Sequence, residues 1–228
     1  MTTLGNSAAV RILLVDDHAI VRAGYRHLLE RHGGYRIVAE ADDAQSAYLQ
    51  YSAHRPDLMI TDIAMPGASG LEALRRVLQL DPAGRVLIFS MHVSPDLALA
   101  ALRSGARGYV TKSSTPDTLL RAIADAMAGR QTLSPDIAQA LALARVADGR
   151  SELQQLTPRE FDILTMLVAP HSVDDIARAL HLSPKTVQNL HYQIKRKLNV
   201  TSDIELTRFA LAHGVGASAA QAPEAIQK

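Results

Sequence analysis

Five short runs of the sequence are predominantly apolar: RILLV (11–15), YRIVAEA (35–41), DLMIT (57–61), RVLIFS (85–90) and GYVT (108–111). Each is followed by a stretch with helical spacing, at 18–32, 43–54, 69–80, 94–104 and 115–129. Strands without a solvated polar face must be covered on both sides, and helix-length crossovers between them supply the cover. The pattern therefore predicts a doubly wound α/β domain with a five-stranded parallel sheet. In such a sheet ligands bind outside the carboxyl ends of the strands.

Chemistry-bearing residues collect at those ends. Asp16 and Asp17 close the first run, Asp62 the third and Ser90 the fourth, while Lys112 follows the fifth. Taken singly, an aspartate before a helix serves well enough as an N-cap. Capping does not explain why four separate segments deliver polar groups to one rim. Nor does it explain Asp16 beside Asp17, since adjacent carboxylates repel unless a positive group is near.

Beyond residue 130 the pattern changes. Ser134-Pro135 opens one helix that closes near Gly149, within a linker spanning 131–155 that has too little apolar content for its own core. From Leu156 the spacing is helical only. Thr157, Pro158 and Glu160 form a capping box at the head of TPREFDILTMLVA. SVDDIARALHL and SPKTVQNLHYQIKRKL then give two helices around a tight turn, the second capped by Ser183 and opened by Pro184. A short helix, a tight turn and a basic second helix describe a helix-turn-helix. A last helix, SDIELTRFALAHG, closes this all-α unit at 156–213, and residues 214–228 form a flexible tail.

Charge separates the halves more clearly than total composition does. The net charge is only +1, yet no Asp or Glu occurs from Ile176 to Ser202, where Arg178, Lys185, Lys195, Arg196 and Lys197 fall. That patch points to an anionic partner such as nucleic acid, with a solvated basic face as the plainer alternative. Cysteine is absent, which excludes disulfides and thiolate metal sites. The opening MTTLGNSAAV has neither the basic region nor the long apolar core of a signal peptide, and no apolar run is long enough to span a membrane. A cytoplasmic location is expected.

The segments LLVDDHAIVRAG, PDLMITDIAMPGASGLEAL, VLIFSMH and GARGYVTK resemble a response-regulator receiver domain across 10–130. Residues 156–213 resemble the LuxR-type helix-turn-helix, so the whole chain is similar to the NarL/FixJ class of response regulators. The resemblance implies that Asp62 is the phosphoacceptor. It implies Mg²⁺ held by Asp17, Asp62 and the backbone carbonyl of Ala64, with Asp16 assisting. Lys112 would pair with one phosphoryl oxygen and Ser90 would donate to another. Ser90 and Tyr109 would act as switch residues. The chemistry is consistent, because a carboxylate and a phosphoryl group are both anionic and need cations between them. A divalent ion would also explain the adjacent pair of aspartates. Two features depart from the family. Ala64 and His92 flank the site of hydrolysis, and Ser113 replaces the proline that follows the lysine.

In the basic helix Val187, Leu190, Ile194 and Leu198 form an apolar stripe, which leaves Lys185, Gln188, Asn189 and Tyr192 on the polar side. By resemblance Gln188, Asn189 and Tyr192 reach base edges in the major groove of double-stranded DNA, with Thr186 beside them. Lys185, Lys195 and Lys197 suit phosphates, which position without specifying. The implied protein is phosphorylated by a sensor histidine kinase, binds DNA as a homodimer, and has RNA polymerase as a possible further partner. It is not an enzyme in this reading. A Mg²⁺-dependent phosphatase would need a second acid near the acceptor, where Ala64 stands. A ligand-binding quorum sensor accounts poorly for the receiver motifs.

Overall fold

The computed structural model describes residues 9–65, 68–146, 152–169, 171–213 and 215. Its strands are β1 (Val10–Val15), β2 (Tyr35–Ala41), β3 (Leu58–Thr61), β4 (Val86–Ser90), β5 (Gly108–Thr111) and β6 (Thr132–Leu133). All pair in parallel in the order β2-β1-β3-β4-β5-β6. Strand order reverses between β1 and β3, so the crevice for a ligand opens at their carboxyl ends.

Period-two alternation sorts the strand residues between two cores. Ile12, Leu14, Ile60, Leu87, Phe89 and Val110 face Leu29 of α1 (Ala19–His32) and Leu119, Ile123 and Ala126 of α5 (Pro116–Met127). Leu13, Val15, Met59, Ile88 and Tyr109 face the other side, covered by α2 (Ala44–His54), α3 (Gly70–Leu80) and α4 (Pro95–Arg103). Burial of this kind stabilises by roughly 25 cal/mol per Å² of apolar surface, which is why small aliphatic residues suffice where aromatic rings are few.

The sixth strand departs from the five expected. Thr132 and Leu133 pair with Gly108 and Tyr109, and Gly108 permits the approach because a Cβ there would lie 2.5 Å from the Thr132 carbonyl oxygen. Two residues carry no readable period, so the strand is invisible in the sequence. The following helix α6 (Pro135–Val146) starts at the expected Ser134-Pro135, but it is not a detached linker. Ile137 is fully buried, and Asp136 accepts a hydrogen bond from the Thr111 hydroxyl at 2.5 Å. The expected end near Gly149 and the tail at 216–228 lie outside the described residues.

A 3₁₀ turn (Glu152–Gln155) leads to α7 (Pro158–Val168), α8 (Val173–Ala179), α9 (Pro184–Lys197) and α10 (Asp203–Ala212). Each begins with a side-chain cap: Thr157 with Glu160, Ser172 with Asp175, Ser183 on Thr186, and Ser202 with Glu205. Such caps contribute about 1 kcal/mol each. The turn between α8 and α9 places His181 in the left-handed region at φ 52°. Val187, Ile194 and Leu198 are buried as the stripe predicts, while Leu190 is half-buried. Phe161, Ile163 and Leu164 of α7 belong to the same apolar cluster as Leu97 and Ala101 of α4, so the two halves pack together.

Candidate functional site

Three of the five expected rim residues meet around one ammonium group. The Lys112 side chain, delivered by the end of β5, donates to Asp16 Oδ2 and to Asp62 Oδ2, both at 2.5 Å. All three side chains are less than a tenth exposed, at 6%, 8% and 5%. Burial alone would lower the Lys112 pKa, but the Asp62 and Asp16 carboxylates outweigh it and the pKa rises. The positive partner that the aspartates require is therefore built into the chain. Asp62 has its other oxygen fixed by backbone, accepting from Ile63 at 2.6 Å and Ala64 at 3.2 Å.

Asp16 accepts from the His18 amide at 2.9 Å, and its carbonyl accepts from the Arg22 guanidinium, itself paired with Glu40. Asp17 differs. Its Oδ1 is buried and lies 2.9 Å from His18 Nδ1, but it accepts no hydrogen bond. Asp16, Asp17 and His18 bring ligand atoms within 4.8 Å of one another. An orphaned carboxylate oxygen beside a second carboxylate suits a hard cation taking oxygen ligands. His18 was not singled out from sequence, although it directly follows the paired aspartates.

Ser90 is fully buried at the end of β4, and its Oγ accepts from the His92 amide at 3.3 Å. The His92 carbonyl in turn accepts from the Tyr109 hydroxyl at 2.8 Å. Tyr109 is fully buried, so its ring already occupies the interior, and that burial raises its pKa. Burial lowers the pKa of His92 against the opposing pull of Asp62. The Lys112–Ser113 bond is trans, as are all peptide bonds among the described residues.

On α9 the structure exposes Lys185, Gln188, Asn189 and Tyr192 on one face, with Thr186 half-buried at its N-terminal end. Tyr192 is 62% exposed despite its size. The other two lysines are engaged inside their own domain. Lys195 pairs with Asp203 at 3.0 Å, and Lys197 with the buried Glu160 at 2.6 Å. His191 Nε2 also lies 2.9 Å from Asp203.

Sequence reasoning missed a second polar cluster altogether. At the seam between the halves, Asp162 of α7 accepts from Ser69 at 3.3 Å and from the Arg75 guanidinium. Arg159 donates to Glu72 at 3.0 Å, and Arg76 reaches the Ala179 carbonyl at 2.5 Å. Glu72 with Arg75 and Arg76 reads in sequence as an ordinary solvated i, i+3 and i, i+4 set.

Comparison with known proteins follows the same division. Residues 12–124 match the response regulator receiver domain, and residues 154–210 match the bacterial regulatory proteins of the luxR family. The chain is 35% identical over 208 residues to the response regulator UvrY of Escherichia coli O6:H1, covering 90% of this chain and 95% of that one. A crystal structure of a LuxR-family two-component response regulator from Aurantimonas sp. SI85-9A1 is 52% identical with TM-score 0.59, covering 61% of this chain and 99% of that one. RcsB from Salmonella enterica serovar Typhimurium, bound to a promoter in the presence of the phosphomimetic BeF3⁻, superposes with TM-score 0.72 at 25% identity. That match covers 89% of this chain and 98% of that one. Among the described residues no helix is long and apolar enough to cross a membrane.

Proposed function

The chain belongs to the NarL/FixJ class of two-component response regulators, and from that premise we propose that phosphorylation of Asp62 by a sensor histidine kinase controls its binding to double-stranded DNA. Members are transcription regulators and not enzymes, so the rim chemistry serves signalling. The observation that carries the proposal is Lys112 bridging Asp16 and Asp62 in a buried rim.

Each rim residue has a task in this reading. An Asp62 oxygen attacks the phosphorus as the bond to the donor breaks, and the product is an acyl phosphate. Lys112 is already charged and desolvated beside the acceptor, so it stabilises the anionic oxygens without reorganisation. Ser90 would leave the His92 amide to donate to another phosphoryl oxygen. Asp16, Asp17, Asp62 and the Ala64 carbonyl would hold Mg²⁺, which supplies the positive charge that lets two anions meet. His92 would stand near the acyl phosphate, where Ser90 and Tyr109 read its presence.

For the output domain, Gln188, Asn189 and Tyr192 would read bases, with Lys185 and Thr186 on the backbone of the groove. Lys195 and Lys197 would reach phosphates by exchanging their intradomain partners. One helix-turn-helix covers few base pairs, so a homodimer on paired half-sites would supply useful affinity. The exposed Ile204 and Leu211 of α10 are candidates for that contact. A cytoplasmic location and contact with RNA polymerase belong to the same reading. The units would be a receiver at 10–130, a connecting segment at 131–155, the DNA-binding domain at 156–213 and the tail at 214–228.

Gel-shift titration of the intact protein, with and without acetyl phosphate and Mg²⁺, tests the proposal. Much tighter binding after phosphorylation is expected. Equal affinity in both states would leave a constitutive DNA-binding protein with an idle receiver.

A further inference from the structure

Thr111 ends β5 directly before Lys112 and is fully buried. Its hydroxyl lies 2.5 Å from Asp136 Oδ2, 3.1 Å from the Ser113 hydroxyl and 2.9 Å from the Ser114 hydroxyl. A hydroxyl has one proton to give and two lone pairs with which to receive. A carboxylate can only accept, so Asp136 takes the Thr111 proton, and Ser113 and Ser114 must donate. Every hydrogen-bonding position of that oxygen is thereby filled. The residues on both sides of Lys112 are tied to a single atom, and that atom is tied to α6.

Asp136 is itself firmly held. Its other oxygen accepts from the Ile137 amide at 2.9 Å, so both ends of the carboxylate are engaged. Ser134, also fully buried, accepts from the Thr111 amide at 3.3 Å, and its own amide donates to the Tyr109 carbonyl at 3.0 Å. Burial would raise the Asp136 pKa, but hydrogen bonds from Ser134 and Thr111 outweigh it, so the pKa falls and the group stays an acceptor. Asp136 lies in α6, beyond the 12–124 span that matches the receiver family. A proline at position 113 would bring no hydroxyl to this cluster, whereas the serine present here does.

Lys112 carries its ammonium on a flexible stem, and the tip must change partners. It pairs with Asp16 and Asp62 before phosphoryl transfer, and in the proposed reaction it shifts onto a phosphoryl oxygen. Only the backbone end of the residue can stay in register through that exchange. There the Lys112 amide donates to the Ser90 carbonyl at 2.8 Å, and the Thr111 carbonyl accepts from the Ser114 amide at 3.1 Å. We propose that Asp136 is a positioning residue for phosphoryl transfer, fixing Lys112 through the hydroxyls of Thr111, Ser113 and Ser114. It touches neither the acceptor nor the phosphoryl group. Its effect is to aim the ammonium where charge develops, and a misplacement of about 1 Å there can cost about 10²-fold in rate. The functional site thus runs from the receiver into the segment that follows it. The inference rests on Asp62 being the acceptor.

Labelling of Asp62 by acetyl phosphate with Mg²⁺, in the full-length protein, tests the assignment. Asp136→Asn keeps the shape but offers one acceptor oxygen to two donors, so either Thr111 or Ile137 goes unpaired. Its maximal labelling rate is expected to fall about tenfold, with the half-saturating acetyl phosphate concentration unchanged. Thr111→Val, which loses the hydroxyl but not the bulk, should fall likewise, and Thr111→Ser should recover most of the rate. Adding Asp136→Asn to Thr111→Val should lower the rate no further. The isotope-edited resonance of the Lys112 ammonium gives a readout free of turnover. It should shift in Asp136→Asn and Thr111→Val, and return in Thr111→Ser. Ser113 is exposed, so Ser113→Ala leaves the fold intact and should shift the same resonance in the same direction. A wild-type rate in Asp136→Asn, a loss confined to the half-saturating concentration, or an unmoved resonance would overturn the positioning role and spare the functional proposal. Wild-type protein that fails to label at Asp62 would overturn both.

Discussion

The receiver rim and the exposed face of α9 both gather polar groups, and they treat them in opposite ways. At the rim, Lys112, Asp16 and Asp62 are buried and already paired with one another, so geometry is fixed before any ligand arrives. On α9, Lys185, Gln188, Asn189 and Tyr192 stand in solvent. A buried site can perform chemistry because its charges are preorganised where screening is weak. An exposed face can only recognise, and its strength is left to salt and to the partner. Substitutions should therefore act by loss of function and folding at the rim, and by graded affinity on the helix.

The most severe break should be Asp62→Asn. Incubation with labelled acetyl phosphate and Mg²⁺ is expected to give no acyl phosphate, and wild-type labelling of this variant would identify a different acceptor.

Next is Lys112→Met, which strips the shared cation from two buried carboxylates. Leaving such groups unpaired costs about 3–5 kcal/mol. Urea unfolding in EDTA should show that loss, and Mg²⁺ should recover part of it. Equal stability with and without the ion would argue against cation binding by these aspartates.

On α9, Gln188→Ala or Asn189→Ala should weaken binding to a cognate site by about 1–3 kcal/mol while leaving random DNA nearly unchanged. Uniform weakening would demote these residues to backbone contacts.

The seam adds a pH effect. Burial pushes the Asp162 carboxyl up to about 7, ahead of the opposing pull of Arg75. An acid whose pKa is raised in the docked state favours docking in its protonated form. Its contribution is full below the ordinary carboxylate range and fades as pH rises through 7, with a limiting slope of about 1.4 kcal/mol per pH unit. Resistance of the full-length protein to urea should fall between pH 6 and 8, and Asp162→Asn should flatten the curve.

The smallest effect separates the lysines. Lys185→Ala should flatten the salt dependence of DNA binding by a slope of about 0.9, one phosphate's worth. Lys197→Ala should also lower thermal stability, because it leaves the buried Glu160 without its cation.

The contrast between the two regions also marks what sequence can reveal. Strand ends converge on one rim by topology alone, so Asp16, Asp62, Ser90 and Lys112 were legible together. The caps at Thr157 and Ser183 were equally local and equally plain. Strand β6 was not, because pairing of two residues depends on a bare Gly108 and not on any pattern of its own. The ion pairs of Lys195 and Lys197 and the whole Asp162 seam depend on which helix faces which. No periodicity within Gly70–Leu80 or Pro158–Val168 encodes that. Pairings between distant segments are decided by packing, and a charged residue in sequence looks the same whether it ends in water or beneath another domain.

Strand β6 has a practical side. An unpaired sheet edge presents open backbone groups that invite pairing with another chain. In the intact protein Thr132 and Leu133 occupy the edge of β5, and α6 follows directly over it. A receiver fragment cut at residue 130 would uncover that edge and remove Asp136 from Thr111. It should self-associate on concentration, whereas a fragment carried through residue 146 should stay dispersed. Where the chain is cut thus decides whether an isolated receiver is a usable reagent or a precipitate.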